Sequence, residues 1–146
     1  MANILAIDYG EKRVGLAIAD ENLRIPLILK PIIGKTEKQV LEDIAKICQE
    51  KNIKKIVIGL PLSFDFKENP KCQKIRKFAE KVKELVKVEI VFENEVFSTE
   101  AAKNIQKSFN KNNSKNKLKL SRKDLKNHFD SQAAAIILDS YLAKIK

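Results

Sequence analysis

The sequence predicts an α/β fold, one mixed five-stranded sheet with helices on both faces, in a single domain spanning residues 1–146. Three observations carry that prediction. A length of 146 residues suits one domain with one sizeable core and leaves no room for a two-domain clamp. Three apolar runs of strand length come first; after Gly34, stretches with a 3.6-residue period alternate with short apolar runs, as in helix-linked parallel strands. Hydrophobic residues at 44% and charged residues at 33%, with only 4 Gly and 4 Pro, exclude disorder for most of the chain.

Ile4–Asp8 and Val14–Ala19 read as strands joined by the polar turn Tyr9-Gly10-Glu11-Lys12-Arg13, which makes a hairpin. In the second strand Val14, Leu16 and Ile18 share one face and Gly15, Ala17 and Ala19 the other, so something is expected to pack close on the small side. The run Ile25–Ile33 contains Pro26 and Pro31, which cannot donate to a ladder, and reads as an edge strand. Thr36 caps an amphipathic helix carrying Val40, Leu41, Ile44, Ile47 and Cys48. Ile53–Leu60, stopped by Gly59 and Pro61, has the look of a buried parallel strand. Asn69-Pro70 opens a second helix with Ile75, Phe78, Ala79, Val82, Leu85 and Val86 inward. Val88–Phe92 is the fifth strand. Ser98 or Thr99 caps a third helix through Phe109, and the Asn/Lys-rich tract Asn110–Lys119 reads as an exposed loop. Ser121 with Asp124 forms a capping-box pattern, and Asp130–Ile145 makes the final helix.

Charge separates the chain into two parts. Lys and Arg total 29 against 19 Asp and Glu, a formal net charge of +10. The stretch Lys103–Lys126 holds nine basic residues (Lys103, Lys107, Lys111, Lys115, Lys117, Lys119, Arg122, Lys123 and Lys126) and one acid, Asp124, so +8 lies there and +2 on the other 122 residues. A compositional bias toward Lys would act everywhere, whereas elsewhere acid balances base. The stretch is therefore read as an electrostatic footprint for a polyanion, most simply nucleic acid. Cys48 and Cys72 have no Cys/His neighbours at metal-ligand spacing and are expected to be reduced packing residues on helices, as in a cytoplasmic protein. No run approaches the ~18 apolar residues of a membrane span, and the opening MANILAIDYG meets an Asp too early for a signal sequence, so no membrane partner is expected.

Three acids stand at element ends. Asp8 closes the first strand, Glu95 lies just past the fifth, and Asp130 stands at the start of the final helix. Taken singly, each has an ordinary role. Asp8 can bond the turn backbone of Tyr9-Gly10. Glu95 can be solvated, like Glu89 and Glu93, which share its parity and are expected exposed. Asp130 can complement a helix dipole. Taken together, strands one and five and the last helix can converge, and three converging carboxylates resist ionising unless a cation joins them. Mg²⁺ or Mn²⁺ suits such an oxygen set.

Four segments carry a family resemblance. They are Ile4-Leu5-Ala6-Ile7-Asp8-Tyr9-Gly10 with Lys12-Arg13-Val14-Gly15-Leu16-Ala17; Val57-Ile58-Gly59-Leu60-Pro61; Asn94-Glu95-Val96-Phe97-Ser98-Thr99; and Phe129-Asp130-Ser131-Gln132-Ala133-Ala134 with the apolar run after it. In this order, over nearly the whole chain, they resemble the YqgF/RuvX family of the ribonuclease H-like superfold. The resemblance implies a metal-dependent endo- or exonuclease with Asp8, Glu95 and Asp130 as catalytic, metal-binding acids. It implies 5′-end processing of pre-16S rRNA in ribosome biogenesis, with Holliday junction resolution as the alternative. Asn94 and Val96 stand where the family has Asp and Arg, so Arg13 or Arg122 would take the phosphate contact of that arginine. Ser63-Phe64-Asp65-Phe66 lacks the glycine that usually follows the acid there.

Phosphodiester hydrolysis needs an activated water and a stabilised leaving oxygen, which two ions ~3.5–4 Å apart supply without a protein general base. Lys12 and Arg13 would contact the scissile region, and Lys111, Lys115, Lys117, Lys119, Arg122, Lys123 and Lys126 the phosphate backbone. A non-catalytic nucleic-acid-binding module is the other rival, since charge explains binding without metal; such a module has no need of three acids beside bound phosphate. The Asp8-x-Gly10 hairpin also resembles the phosphate loop of actin-like kinases, which need a second domain that 146 residues do not provide. His128, the one histidine, reads as a helix-end residue. With the apolar positions used by one sheet and its helices, a monomer or weak dimer acting on RNA is favoured over a dimeric enzyme acting on DNA junctions.

Overall fold

The computed structural model describes residues 2–61, 69–94 and 122–145, the stretch 122–130 by its backbone alone. The sheet consists of β1 (Asn3–Tyr9), β2 (Arg13–Asp20), β3 (Leu27–Ile33), β4 (Ile53–Leu60) and β5 (Glu89–Asn94), in the order β3-β2-β1-β4-β5. β1 pairs antiparallel with β2 and parallel with β4, β2 antiparallel with β3, and β4 parallel with β5. The mixed five-stranded sheet expected from the sequence is therefore the one observed.

Strand alternation assigns the two faces. Leu5, Ile7, Val14, Leu16, Ile56 and Ile58 point to one side, where α1 (Glu37–Glu50) and α2 (Pro70–Val86) cover them through Val40, Ile44, Ile75, Phe78 and Val82. Burial of each such side chain contributes about 1.5–3 kcal/mol. Ile4, Ala6, Ala17, Ala19 and Val57 point to the other side, where α3 (Arg122–Lys144) places Ala134, Ile137, Leu138, Tyr141 and Leu142. The small-residue face of β2 thus receives α3, as its alanines imply.

Local signals set the helix starts. The Thr36 hydroxyl accepts the Gln39 N–H while the Gln39 side chain accepts the Thr36 N–H, a reciprocal cap. The Asn69 side chain accepts the Cys72 N–H at 3.1 Å and donates to the Pro61 carbonyl at 2.9 Å, tying the exit of β4 to the start of α2. Cys48 and Cys72 are free and buried, and burial pushes the Cys48 thiol up to about 11.

The structure corrects the sequence reading in four places. The final helix begins at Arg122, not Asp130, because no Gly or Pro interrupts 122–144; Asp130 is eight residues inside it rather than in its first turn. β3 starts at Leu27, after Pro26, and β5 runs Glu89–Asn94, two residues past its expected end. Glu93, expected exposed, is 4% exposed, because the same strand face carries Val91 onto α3. The expected helix ending at Phe109 and the tract Asn110–Lys119 lie outside the described residues.

Gly10 is required by the β1–β2 turn. A Cβ there would stand 2.7 Å from the Arg13 carbonyl oxygen, a backbone atom that cannot swing away. Gly10→Ala is expected to cost about 1–3 kcal/mol, read as a lower urea midpoint; an unchanged midpoint would show that the turn yields freely.

Candidate functional site at the carboxyl edge of the sheet

Asp8 is the penultimate residue of β1, half-buried, with its Cα paired to Gly15 of β2. It shares strand parity with Ile4 and Ala6 and so belongs to the face that α3 covers. Ladder register continues this row: Ile7, next to Asp8, pairs with Ile58, and the following residue of β4, Gly59, pairs with Glu93 of β5.

A long-range hydrogen bond brings α3 to this row. The Leu16 N–H donates to the Ser131 hydroxyl at 3.3 Å in a buried position. It does so where the β2–β3 ladder shifts register: Val14 pairs with Ile32 but Leu16 with Leu29, so β3 carries an extra residue around Pro31, which has no N–H to offer. Ser131 follows Asp130, so the backbone of Asp130 lies beside the Asp8–Gly15 pair. The carboxylate of Asp130 and all of Glu95 lie outside the described side chains. Glu95 follows Asn94, the last residue of β5. Among the described residues no three His, Cys, Asp or Glu side chains form a cluster suited to a metal ion.

Lys12 in the β1–β2 turn and Arg13 at the start of β2 are exposed, next to the same edge. Arg122, Lys123 and Lys126 belong by backbone to the opening turns of α3, and Lys111, Lys115, Lys117 and Lys119 lie outside the described residues. Val96, His128 and the 63–66 segment are likewise outside the described side chains.

Beside the turn, Tyr9, Gly10, Glu11, Pro70, Lys71 and Lys74 line a cavity of 330 Å³. Tyr9 stacks on Phe78 with ring centroids 4.3 Å apart. Burial, followed by the Glu37 and Glu11 charges, raises the Tyr9 phenol above its usual value. Lys74 Nζ donates to Glu11 at 2.6 Å, and this hydrogen bond lowers the Glu11 carboxyl and raises the Lys74 ammonium.

Sequence reasoning missed two residues that build the edge. Ser131 was visible only as a neighbour of Asp130. Glu93 was detectable in principle, since it shares parity with the apolar Val91. Its carboxylate accepts the Ser140 hydroxyl at 3.0 Å and the Lys144 ammonium. No helix among the described residues is long and apolar enough to cross a membrane.

Comparison with known proteins gives a consistent result. A sequence model of the RuvX family, described as Holliday junction resolvase, matches residues 2–144. A Fusobacterium nucleatum protein named "Putative pre-16S rRNA nuclease" is 38% identical over 143 residues, covering 97% of each chain. A Rickettsia typhi protein of the same name is 32% identical over 143 residues, covering 98% of this chain and 86% of the other. Among solved structures, Thermus thermophilus RuvC in complex with a Holliday junction substrate superimposes with a TM-score of 0.62 at 12% identity, covering 99% of this chain and 95% of that one. At that identity the match shows a shared fold.

Proposed function

The chain belongs to the RuvX family, and from that premise we propose that it is a metal-dependent nuclease hydrolysing phosphodiester bonds in the 5′-end processing of pre-16S rRNA, a cytoplasmic task. One observation carries the reading. Asp8 stands at the carboxyl edge on the face of α3, and the Leu16–Ser131 bond holds the Asp130 turn against the strand pair that carries Asp8. Open α/β sheets place their sites at such an edge.

The donor chemistry fits a hard cation. The soft ligands, Cys48 and Cys72, are buried in the core under α1 and α2, on the opposite face from Asp8. Asp8, Glu95 and Asp130 would offer oxygens only, and these would hold Mg²⁺ or Mn²⁺. When bound, the cation supplies charge stabilisation at the phosphoryl oxygens and a water acidified toward neutral pH. The protein's own part is to hold substrate beside these carboxylates. Lys12 and Arg13 would take phosphates next to the β1 end, and the basic stretch through Lys111, Lys115, Lys117, Lys119, Arg122, Lys123 and Lys126 would take the flanking backbone.

The β3 edge supports a monomer or weak dimer. Leu23, Ile25, Leu27 and Ile33 are 69%, 61%, 61% and 43% exposed, yet Pro26 and Pro31 have no N–H to offer there and Lys30 charges the edge. A tight symmetric dimer needs a larger packed surface than this short row of side chains.

Cleavage assays on a pre-16S leader RNA and on a four-way DNA junction, with sedimentation at micromolar concentration, test the reading. The RNA should be cut with Mg²⁺ or Mn²⁺ and not in EDTA. Ca²⁺, larger and looser in coordination, should support binding without turnover. A tight dimer making paired nicks in the junction while sparing RNA would establish the resolvase alternative. Binding without cleavage in every cation would establish the non-catalytic one.

A further inference from the structure

Helix α3 lies on a surface that gives it little to grip. Ala6, Ala17 and Ala19 of the sheet meet Ala134 of the helix, together with Ile4, Val57, Ile137 and Leu138. Methyl groups permit close approach, but they form shallow ridges and grooves, so apolar contact resists separation of the layers better than sliding along the helix axis. Directional hydrogen bonds supply what such a surface lacks. Near its middle α3 is held by the Leu16–Ser131 bond, and near its end by Lys55 Nζ donating to the Tyr141 hydroxyl at 2.8 Å and by the Arg24 guanidinium donating to the Ile145 carbonyl at 2.8 Å.

Glu93 differs from these. It is 4% exposed, and it accepts from two residues of α3, Ser140 at 3.0 Å and Lys144. A buried carboxylate is a poor way to gain stability, because desolvation cancels most of the attraction and a well-packed apolar side chain serves as well or better. What it provides is a fixed position. It stands on β5, two residues before Glu95, and pairs across the sheet with Gly59 in the row that continues from Asp8.

We propose that Glu93 is a positioning residue: by holding Ser140 and Lys144 it sets the axial register of α3 on the sheet, and so the place of Asp130 relative to Asp8 and Glu95. This rests on the reading that those three acids share one metal site. Residues that orient metal ligands from behind act on metal affinity more than on stability.

The test uses the full chain and three variants. Glu93→Leu removes both bonds and fills the buried position with an apolar side chain of similar size. Glu93→Gln keeps an acceptor for Ser140, and Ser140→Ala removes that bond alone. In cleavage titrated with Mn²⁺, Glu93→Leu is expected to raise the half-saturating concentration about tenfold, with Ser140→Ala intermediate and Glu93→Gln near wild type. Thermal melts in EDTA should show all three folded, with Glu93→Leu as stable as the parent.

A second readout needs neither metal nor substrate. Spin labels at Glu42→Cys on α1 and Asp139→Cys on α3, with Cys48 and Cys72 replaced by Ala, report the distance between the helices across the sheet. Glu93→Leu is expected to shift or broaden that distribution. An unchanged distribution together with an unchanged Mn²⁺ requirement overturns the proposal. A wild type that shows no Mn²⁺ dependence overturns the functional reading instead, and the spin-label distances then decide separately whether Glu93 sets the register. If Glu93→Leu fails to fold, the same two readouts on Ser140→Ala decide the matter.

Discussion

Asp8→Asn is expected to lower cleavage by about a thousandfold or more while leaving nucleic-acid binding unchanged or tighter. Of the three proposed site acids, Asp8 is the one whose side chain is described: half-buried, near the end of β1, paired to Gly15, on the α3 face. Replacing one carboxylate oxygen by an amide nitrogen keeps the size and removes a hard anionic donor, so the cation is lost or misplaced. It also removes a negative charge from the surface that phosphates approach, which opposes any loss of affinity. The fold should be unaffected, because Asn keeps the size and hydrogen-bonding reach of the side chain at a half-buried strand end. Cleavage of the RNA substrate with Mg²⁺, mobility shifts in EDTA and a urea melt check the three parts. Cleavage by Asp8→Asn at the parent rate would remove the metal-dependent mechanism.

The second large effect belongs to the basic stretch. Replacing Lys111, Lys115, Lys117 and Lys119 together by Gln is expected to weaken RNA binding roughly a hundredfold near 0.1 M salt. The slope of log K against log salt should flatten by up to ~0.7 for each phosphate that is no longer neutralised. The weakening should be nearly the same for unrelated sequences, since phosphates carry no base information. The motive is the uneven charge: +8 of the formal +10 sits between Lys103 and Lys126. An unchanged slope would mean that the tract serves solubility alone.

Much of the fold was legible because its signals are local. The β1–β2 hairpin, the Thr36 and Asn69 caps, and the parallel strand Ile53–Leu60 each follow from residues within one turn or one strand of each other. The start of α3 at Arg122 rather than Asp130 was misread because the apolar period strengthens only after Asp130, while helix continuity depends on the absence of a breaker. Glu93 was misread because polarity was weighed above parity. Its neighbour Val91 faces α3, and a carboxylate on that face can be buried once Ser140 and Lys144 meet it.

The sequence by itself determined the types and order of the described elements, the positions of Asp8, Glu95 and Asp130 along the chain, and the charge of the stretch after the fifth strand. Only the tertiary structure decided which helix covers the face that Asp8 and Glu93 share and where α3 rests on the sheet. Alternation and helical period repeat over two to four residues and reveal which side of an element is apolar, not where one element stops on another. That position is set by pairs such as Leu16 with Ser131, 115 residues apart, and Glu93 with Ser140, 47 apart. These pairs meet only once the strands and the helix have been brought together.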